Sequence, residues 1–157
     1  MKDTALVGRV ISAFANDSED IYRHLYLYGN SSGCARTVEK LVVGYKTTHP
    51  DVTVFSYTGN AFVGRVLDNV MMMESRFADT KAVFVSLLSQ CSLFVLENVQ
   101  DVARKAESMQ QLYIILDKRL ESNLPFLISG NTVPSAIQGL APRISTILEG
   151  SLMLKIS

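Results

Sequence analysis

Short apolar runs, each followed by turn residues and then by apolar positions at helical spacing, recur along the chain. This is the pattern of a parallel sheet whose buried strands are joined by helices. His24 to Gly29 (HLYLYG) reads as the first strand, and Thr37 to Lys46 as the helix after it. Asp51 to Tyr57 follows Pro50 as the second strand. From Asn60, a plausible N-cap, Phe62, Val63, Val66, Leu67 and Val70 share one helical face. A further helix around 77–88 leads into a buried strand, Ser92 to Asn98, that ends in a carboxylate. Ser108 to Glu121 predicts a helix with Met109, Leu112, Tyr113, Leu116 and Leu120 on its apolar face and a charged, solvated opposite face. Pro125 to Asn131 and the closing SLMLKIS supply the fourth and fifth strands, and the first fourteen residues read as an amphipathic helix. The expectation is an α/β fold, a parallel five-stranded sheet flanked by helices.

At 157 residues the chain reads as one domain, large enough to bury a core without disulfides or metals. Hydrophobic residues at 48% and charged residues at 19% fit a compact α/β domain better than a coiled coil or a disordered tail, and nothing in the composition suggests low complexity. Fifteen basic residues balance fifteen acidic ones, so no basic field advertises a nucleic-acid backbone as partner. Cys34 and Cys91 lie far apart with no metal-ligand spacing around them and read as free cytosolic thiols. The most apolar stretch, Ala82 to Leu96, is too short and too interrupted by Ser and Gln to span a membrane. The shared V-G-R-V of Ala5 to Phe14 and Ala61 to Val70 is a chance likeness of two amphipathic helices, with no third copy.

The chemistry-bearing candidate is YGNSSGCARTVEKL, Tyr28 to Leu41, where the first strand turns into a helix. A phosphate-binding loop reads G-x-x-x-x-G-K-[ST], and over Asn30 to Thr37 only the hydroxyl residue stands in place. Asn30 and Ala35 replace the glycines and Arg36 the lysine. Two readings stay open. One is an ordinary strand-to-helix turn with Ser31 or Ser32 as N-cap. The other is a degenerate nucleotide site made of Asn30, Ser31, Ser32, Gly33, Cys34, Ala35, Arg36, Thr37 and, from the third strand, Glu97.

The order of parts, with LFVLENVQ, SMQQLYIILDKRLESNLPFLISG and IQGLAPRI, resembles the AAA+ base domain of the bacterial initiator DnaA and its regulatory relative Hda. The likeness covers nearly the whole chain and implies a P-loop NTPase-like fold. It also implies losses at almost every chemical position. A β-carbon at Asn30 or Ala35 obstructs the approach of backbone N–H groups to phosphates, and Arg36 is a planar fork where the family has a compact ammonium. Gly33 survives at the inner glycine, and Thr37 can offer a magnesium ligand. Glu97 and Asn98 stand for the family's two successive acidic residues, and Asn98 cannot polarise water as a carboxylate does. Asp101 is a poor substitute. Arg143 matches the first arginine of the family's R-L-x-S-R-F segment, while the arginine-finger position falls on Ile147.

The resemblance further implies a single base domain over residues 1–157, without the family's helical lid or its helix-turn-helix domain. Residues 62–89 occupy the place of the initiator's extra helices. The basic residue that contacts DNA in the family falls on Glu107, beside Arg104 and Lys105, which leaves only weak single-strand binding open. His24 and His49 have no nucleophile partnered to them, and Met71, Met72 and Met73 read as packing residues. The expectation is a non-enzymatic, cytoplasmic regulator of replication initiation, with a DnaA-type initiator or the replication clamp as protein partner. The alternative is a switch that holds ADP or ATP with magnesium, weakly, without turnover.

Overall fold

The computed structural model describes residues 2–73 and 80–157, without the side chains of 2–4, 68–73, 80 and 81. In chain order the elements are α1 (Lys2–Ala15), β1 (His24–Gly29), α2 (Ser31–Thr48), β2 (Val54–Thr58), α3 (Gly59–Met73), α4 (Thr80–Gln90), β3 (Leu93–Glu97), α5 (Ala106–Glu121), β4 (Phe126–Gly130), α6 (Pro142–Glu149) and β5 (Leu152–Ile156). The five strands form one parallel sheet in the order β2-β3-β4-β1-β5. The expected fold is therefore present; β1 keeps its expected bounds, β3, β4 and β5 lose one residue at each end, and β2 starts three residues later and ends one later.

The period of two in β1 divides the core. Leu25 and Leu27 point to a layer built with Val10 and Phe14 of α1 and Val38, Leu41 and Tyr45 of α2. Tyr26 points to the other layer, with Phe62 and Val66 of α3, Phe84 and Leu88 of α4, Leu112 and Leu116 of α5, and Ile144 and Leu148 of α6. Both faces are covered, which is why the central strands are continuously apolar. β1 and β4 are neighbours although their helices leave to opposite sides, and crevices for ligands open at the carboxyl ends of strands at such a reversal. Gly29, Glu97 and Gly130 end β1, β3 and β4 there.

Several helix details differ from the sequence expectation. α2 starts at Ser31, six residues before Thr37, and its N-cap is Asn30, not Ser31 or Ser32. Asn60 lies inside α3, and the capping hydroxyl is that of Thr58, which accepts the Ala61 N–H at 3.1 Å. On α3, Phe62 and Val66 are buried but Leu67 is 59% exposed, because the neighbouring elements cover only the centre of the stripe. Val70, Met71, Met72, Met73 and Phe77 lie outside the residues whose side chains are described.

On α5 the expected polar and apolar roles of two adjacent residues are exchanged: Leu120 is exposed and Arg119 is fully buried. Arg119 donates to the carbonyls of Leu88 (2.9 Å), Cys91 (2.8 Å), Ser92 (3.1 Å) and Pro125 (2.6 Å). Those carbonyls belong to the last turn of α4 and to the connections that enter β3 and β4, so one guanidinium satisfies backbone acceptors from both. Gln111 and Ser108 of the expected solvated face are buried as well.

Candidate functional site

β1 reaches its end at Gly29, where φ is +117° and a β-carbon would collide with the Ile156 carbonyl oxygen. Only glycine adopts this backbone without strain, and it lets β5 close directly over the turn. One residue, Asn30, then separates strand from helix. Its N–H donates to the Ile156 carbonyl at 3.0 Å, and its side-chain oxygen accepts the Gly33 N–H at 2.8 Å and the Ser32 hydroxyl at 2.9 Å.

A phosphate cradle needs several successive N–H groups on an open loop turned toward the anion. Here the N–H of Asn30 is spent on β5 and that of Gly33 on the Asn30 amide, and the loop itself has become the first turn of α2. Gly33 is enclosed: a β-carbon there would stand 2.8 Å from the Ile156 Cγ2 atom. Thr37 is buried and its hydroxyl donates to the Gly33 carbonyl at 2.8 Å, the back-bonding of a mid-helix threonine. Ser31, Ser32, Ala35 and Arg36 are exposed.

The structure divides the sequence-derived site into two groups. Gly33, Arg36 and Thr37 line a shallow cavity of about 200 Å³, closed by Val7 of α1, by Lys40 of α2, and by Lys155, Ile156 and Ser157 at the end of β5. Glu97 is not among its lining residues. Cys34 is buried on the other side of the helix turn, where burial, and after it the charge of Glu97, pushes its thiol pKa up. Glu97 pairs with Thr58 across β2 and β3, and partial burial raises its carboxyl above the ordinary value. The α2 cations and the β3 carboxylate thus serve separate surroundings.

Asn98 has φ +60° and ψ +55°, the left-handed region that asparagine tolerates better than most residues. Its N–H donates to the Ser129 hydroxyl at 3.3 Å, and its carbonyl accepts the Asp101 N–H at 3.0 Å. That carbonyl also lies where a β-carbon of Gly59 would fall. The residue is a pivot that sends the chain from β3 into the turn Val99–Val102. Asp101 lies within that turn, its β-carbon against Gly59. Ile147 of α6 is half-buried and packs against the core, and the Arg143 guanidinium lies 4.3 Å over the Tyr113 ring.

Sequence reasoning missed Lys40 and Lys155. The first stands four residues after Arg36 and so on the same helical face, a signal that was available. The second reaches the cavity only because β5 pairs with β1. A separate apolar cavity of about 320 Å³ lies between α3 and the start of α5, with Val63, Val66, Leu67, Lys105 and Glu107 in its lining. Glu107 accepts a hydrogen bond from Gln111 at 3.0 Å. Among the described residues no cluster of His, Cys, Asp and Glu is placed to hold a metal, and no helix is long and apolar enough to cross a membrane.

A parallel sheet in this order, with a strand-to-helix turn at the end of β1 and a carboxylate at the end of β3, defines an AAA+ type, P-loop NTPase-like fold. The chain belongs to the bacterial DnaA ATPase domain family, which it matches over residues 4–155. Its structure is similar to the replication initiator DnaA bound to AMPPCP and single-stranded DNA (TM-score 0.81, 17% identity, 100% of this chain and 47% of that one). It is also similar to domain III of the Thermotoga maritima replication initiation protein DnaA (0.82, 15%, 99% and 62%). The DnaC helicase loader shares the fold at 0.75 and 10% identity, over 95% of this chain and 87% of that one. The chain spans about half the length of the DnaA chain it overlays. No curated protein matches it by sequence.

Proposed function

We propose that this chain is a catalytically silent DnaA-type AAA+ base domain that acts through protein contacts in the control of replication initiation. The observation that carries the reading is the Asn30 cap: an amide oxygen of the protein occupies the helix-start N–H of Gly33 that a phosphate would need. Asn98 supports it, since an amide cannot activate water and its backbone is committed to the turn. Ile147, packed on the core, offers no charge to a neighbouring site.

Membership of the DnaA family and the shared fold of the helicase loader favour a DnaA-type initiator as the partner, with the replication clamp as the other candidate. The work is cytoplasmic, where those partners are. One relative is bound to single-stranded DNA; the sequence resemblance puts an acid, Glu107, at the family's basic DNA-contacting position, which favours at most weak binding of this kind here.

The test has two arms. The purified chain is assayed for ATP hydrolysis with magnesium, alone and with a purified DnaA-type initiator, and for complex formation with that initiator and with the clamp. Turnover above the protein-free rate, abolished by Glu97→Gln, overturns the silent reading. Failure to form a complex with either partner overturns the contact reading.

The second reading is a non-hydrolysing ADP or ATP switch, favoured by the position of Arg36 on the cavity beside Gly33 and Thr37. Calorimetric titration with magnesium and ADP, with micromolar affinity lost in Arg36→Ala and a preference for adenine over other bases, would establish it.

A further inference from the structure

The sheet order leaves β2 and β5 as its outer strands. β5 carries an exposed charge, Lys155, of the kind that blunts an edge against pairing with another chain. β2 has no charge and no proline, and among the described residues it pairs with β3 alone. The Thr53 N–H donates to the Ser92 hydroxyl and the Thr53 carbonyl accepts the Leu93 N–H, both at 3.2 Å, so the backbone of Thr53 faces β3. Alternation along the strand then turns the N–H and C=O groups of Val54, Ser56 and Thr58 to the outside. The side chains of Ser56 and Thr58 are exposed beside them.

We propose that the free edge of β2 is an interface for a second copy of this chain, paired antiparallel about a two-fold axis at Ser56, which joins the two five-stranded sheets into one. The strand is self-complementary about its centre. Laid antiparallel on itself, Val-Phe-Ser-Tyr-Thr sets Val54 opposite Thr58, Phe55 opposite Tyr57 and Ser56 opposite Ser56. β-Branched thus meets β-branched, aromatic meets aromatic and hydroxyl meets hydroxyl, the pairs that stabilise antiparallel neighbours. At the axis the two outward-facing Ser56 residues exchange two backbone hydrogen bonds. A neutral strand also meets its own copy without setting like charges in opposition, the obstacle that a charged edge carries into any two-fold pair. The aromatic pairs fall on the face where Tyr57 already meets Phe62 and Phe84 edge-on. On that face an open cavity of about 210 Å³ lies between Phe55 and the exposed Leu87 of α4, and the second copy covers it. The interface does not rest on the function proposed above.

Sedimentation of the whole chain over a wide range of concentration is the test, and the expected result is a reversible dimer. Ser56→Pro removes one outward donor from each copy and should weaken association about tenfold. Ser56→Lys and Ser56→Glu each set like charges in opposition and should weaken it about fivefold. An equimolar mixture of these two charged variants should restore association, because a two-fold axis at this residue sets Lys against Glu. Ser56 is exposed and its N–H points away from β3, so all three variants keep the fold, which thermal melting checks. Ser12→Lys, at an exposed position of α1, is the control and leaves the dimer unchanged. A chain that stays monomeric at every concentration, or a dimer indifferent to Ser56→Pro and Ser56→Lys, overturns the proposal. So does a dimer weakened by both charged variants that their mixture fails to restore. A monomer whose Ser56 and Thr58 amides shift on addition of a neutral Thr-Val repeat peptide gives the edge to a different chain and overturns it as well.

Discussion

The side-chain oxygen of Asn30 accepts the backbone N–H of Gly33 at 2.8 Å, so the first turn of α2 is capped by the chain itself. The cap is worth a typical increment: Asn30→Ala should cost about 1 kcal/mol of unfolding free energy and Asn30→Gly only a few tenths. Asn30→Asp should match or exceed the native stability, since a carboxylate also answers the helix dipole. Chemical denaturation of the three variants checks the order. Asn30→Gly should restore no ATP turnover.

Arg119 is fully buried and tied to the backbone around it. Its removal strands the carbonyls of Leu88, Cys91, Ser92 and Pro125 away from water. Arg119→Met should therefore cost about 3 kcal/mol or more, even though methionine fills much of the volume. Arg119→Lys should rescue little, because a single ammonium cannot reach four acceptors held around a planar fork. Urea midpoints compare the two.

Gly59 admits no side chain without movement, because the carbonyl of Asn98 occupies the place of a β-carbon. Gly59→Ala should destabilise by about 1–3 kcal/mol as the turn after β3 is displaced. Loss of protection of the Asp101 amide in hydrogen exchange, ahead of the β3 amides, would localise the strain. A variant as stable as the native chain would contradict this packing.

Two half-buried titratable groups give opposite responses to pH. Burial lowers the pKa of His24 below its ordinary 6.5, while its ring is held by the Leu124 carbonyl at 3.0 Å. The fold therefore favours neutral imidazole, and its contribution is full above 6.5 and lost as pH falls through the lowered value. Burial raises Glu97 above its ordinary 4.5, so its contribution is full below 4.5 and lost as pH rises through the raised value. Melting temperature should fall from pH 7 toward 5.5 in the native chain, and this slope should flatten in His24→Gln. Glu97→Gln should raise stability most near neutral pH, where the native carboxylate is charged and partly desolvated.

Apolar runs of strand length, separated by helical spacing, determined the sheet and its flanking helices, because burial on both faces writes itself as continuous hydrophobicity. The family signatures LFVLENVQ and IQGLAPRI and the altered residues from Asn30 to Thr37 were equally legible along the chain. What a linear reading could not decide was the direction of individual side chains where polar groups satisfy one another. The Asn30 cap depends on how closely β5 closes over Gly29. Arg119 reads as a surface charge until two distant turns bring four carbonyls around it. Lys155 joins Arg36 and Lys40 only through the pairing of β5 with β1, more than a hundred residues apart in sequence. Such contacts arise from long-range strand order, which hydrophobic periodicity does not encode; it specifies which face is buried and leaves the neighbours to the tertiary structure.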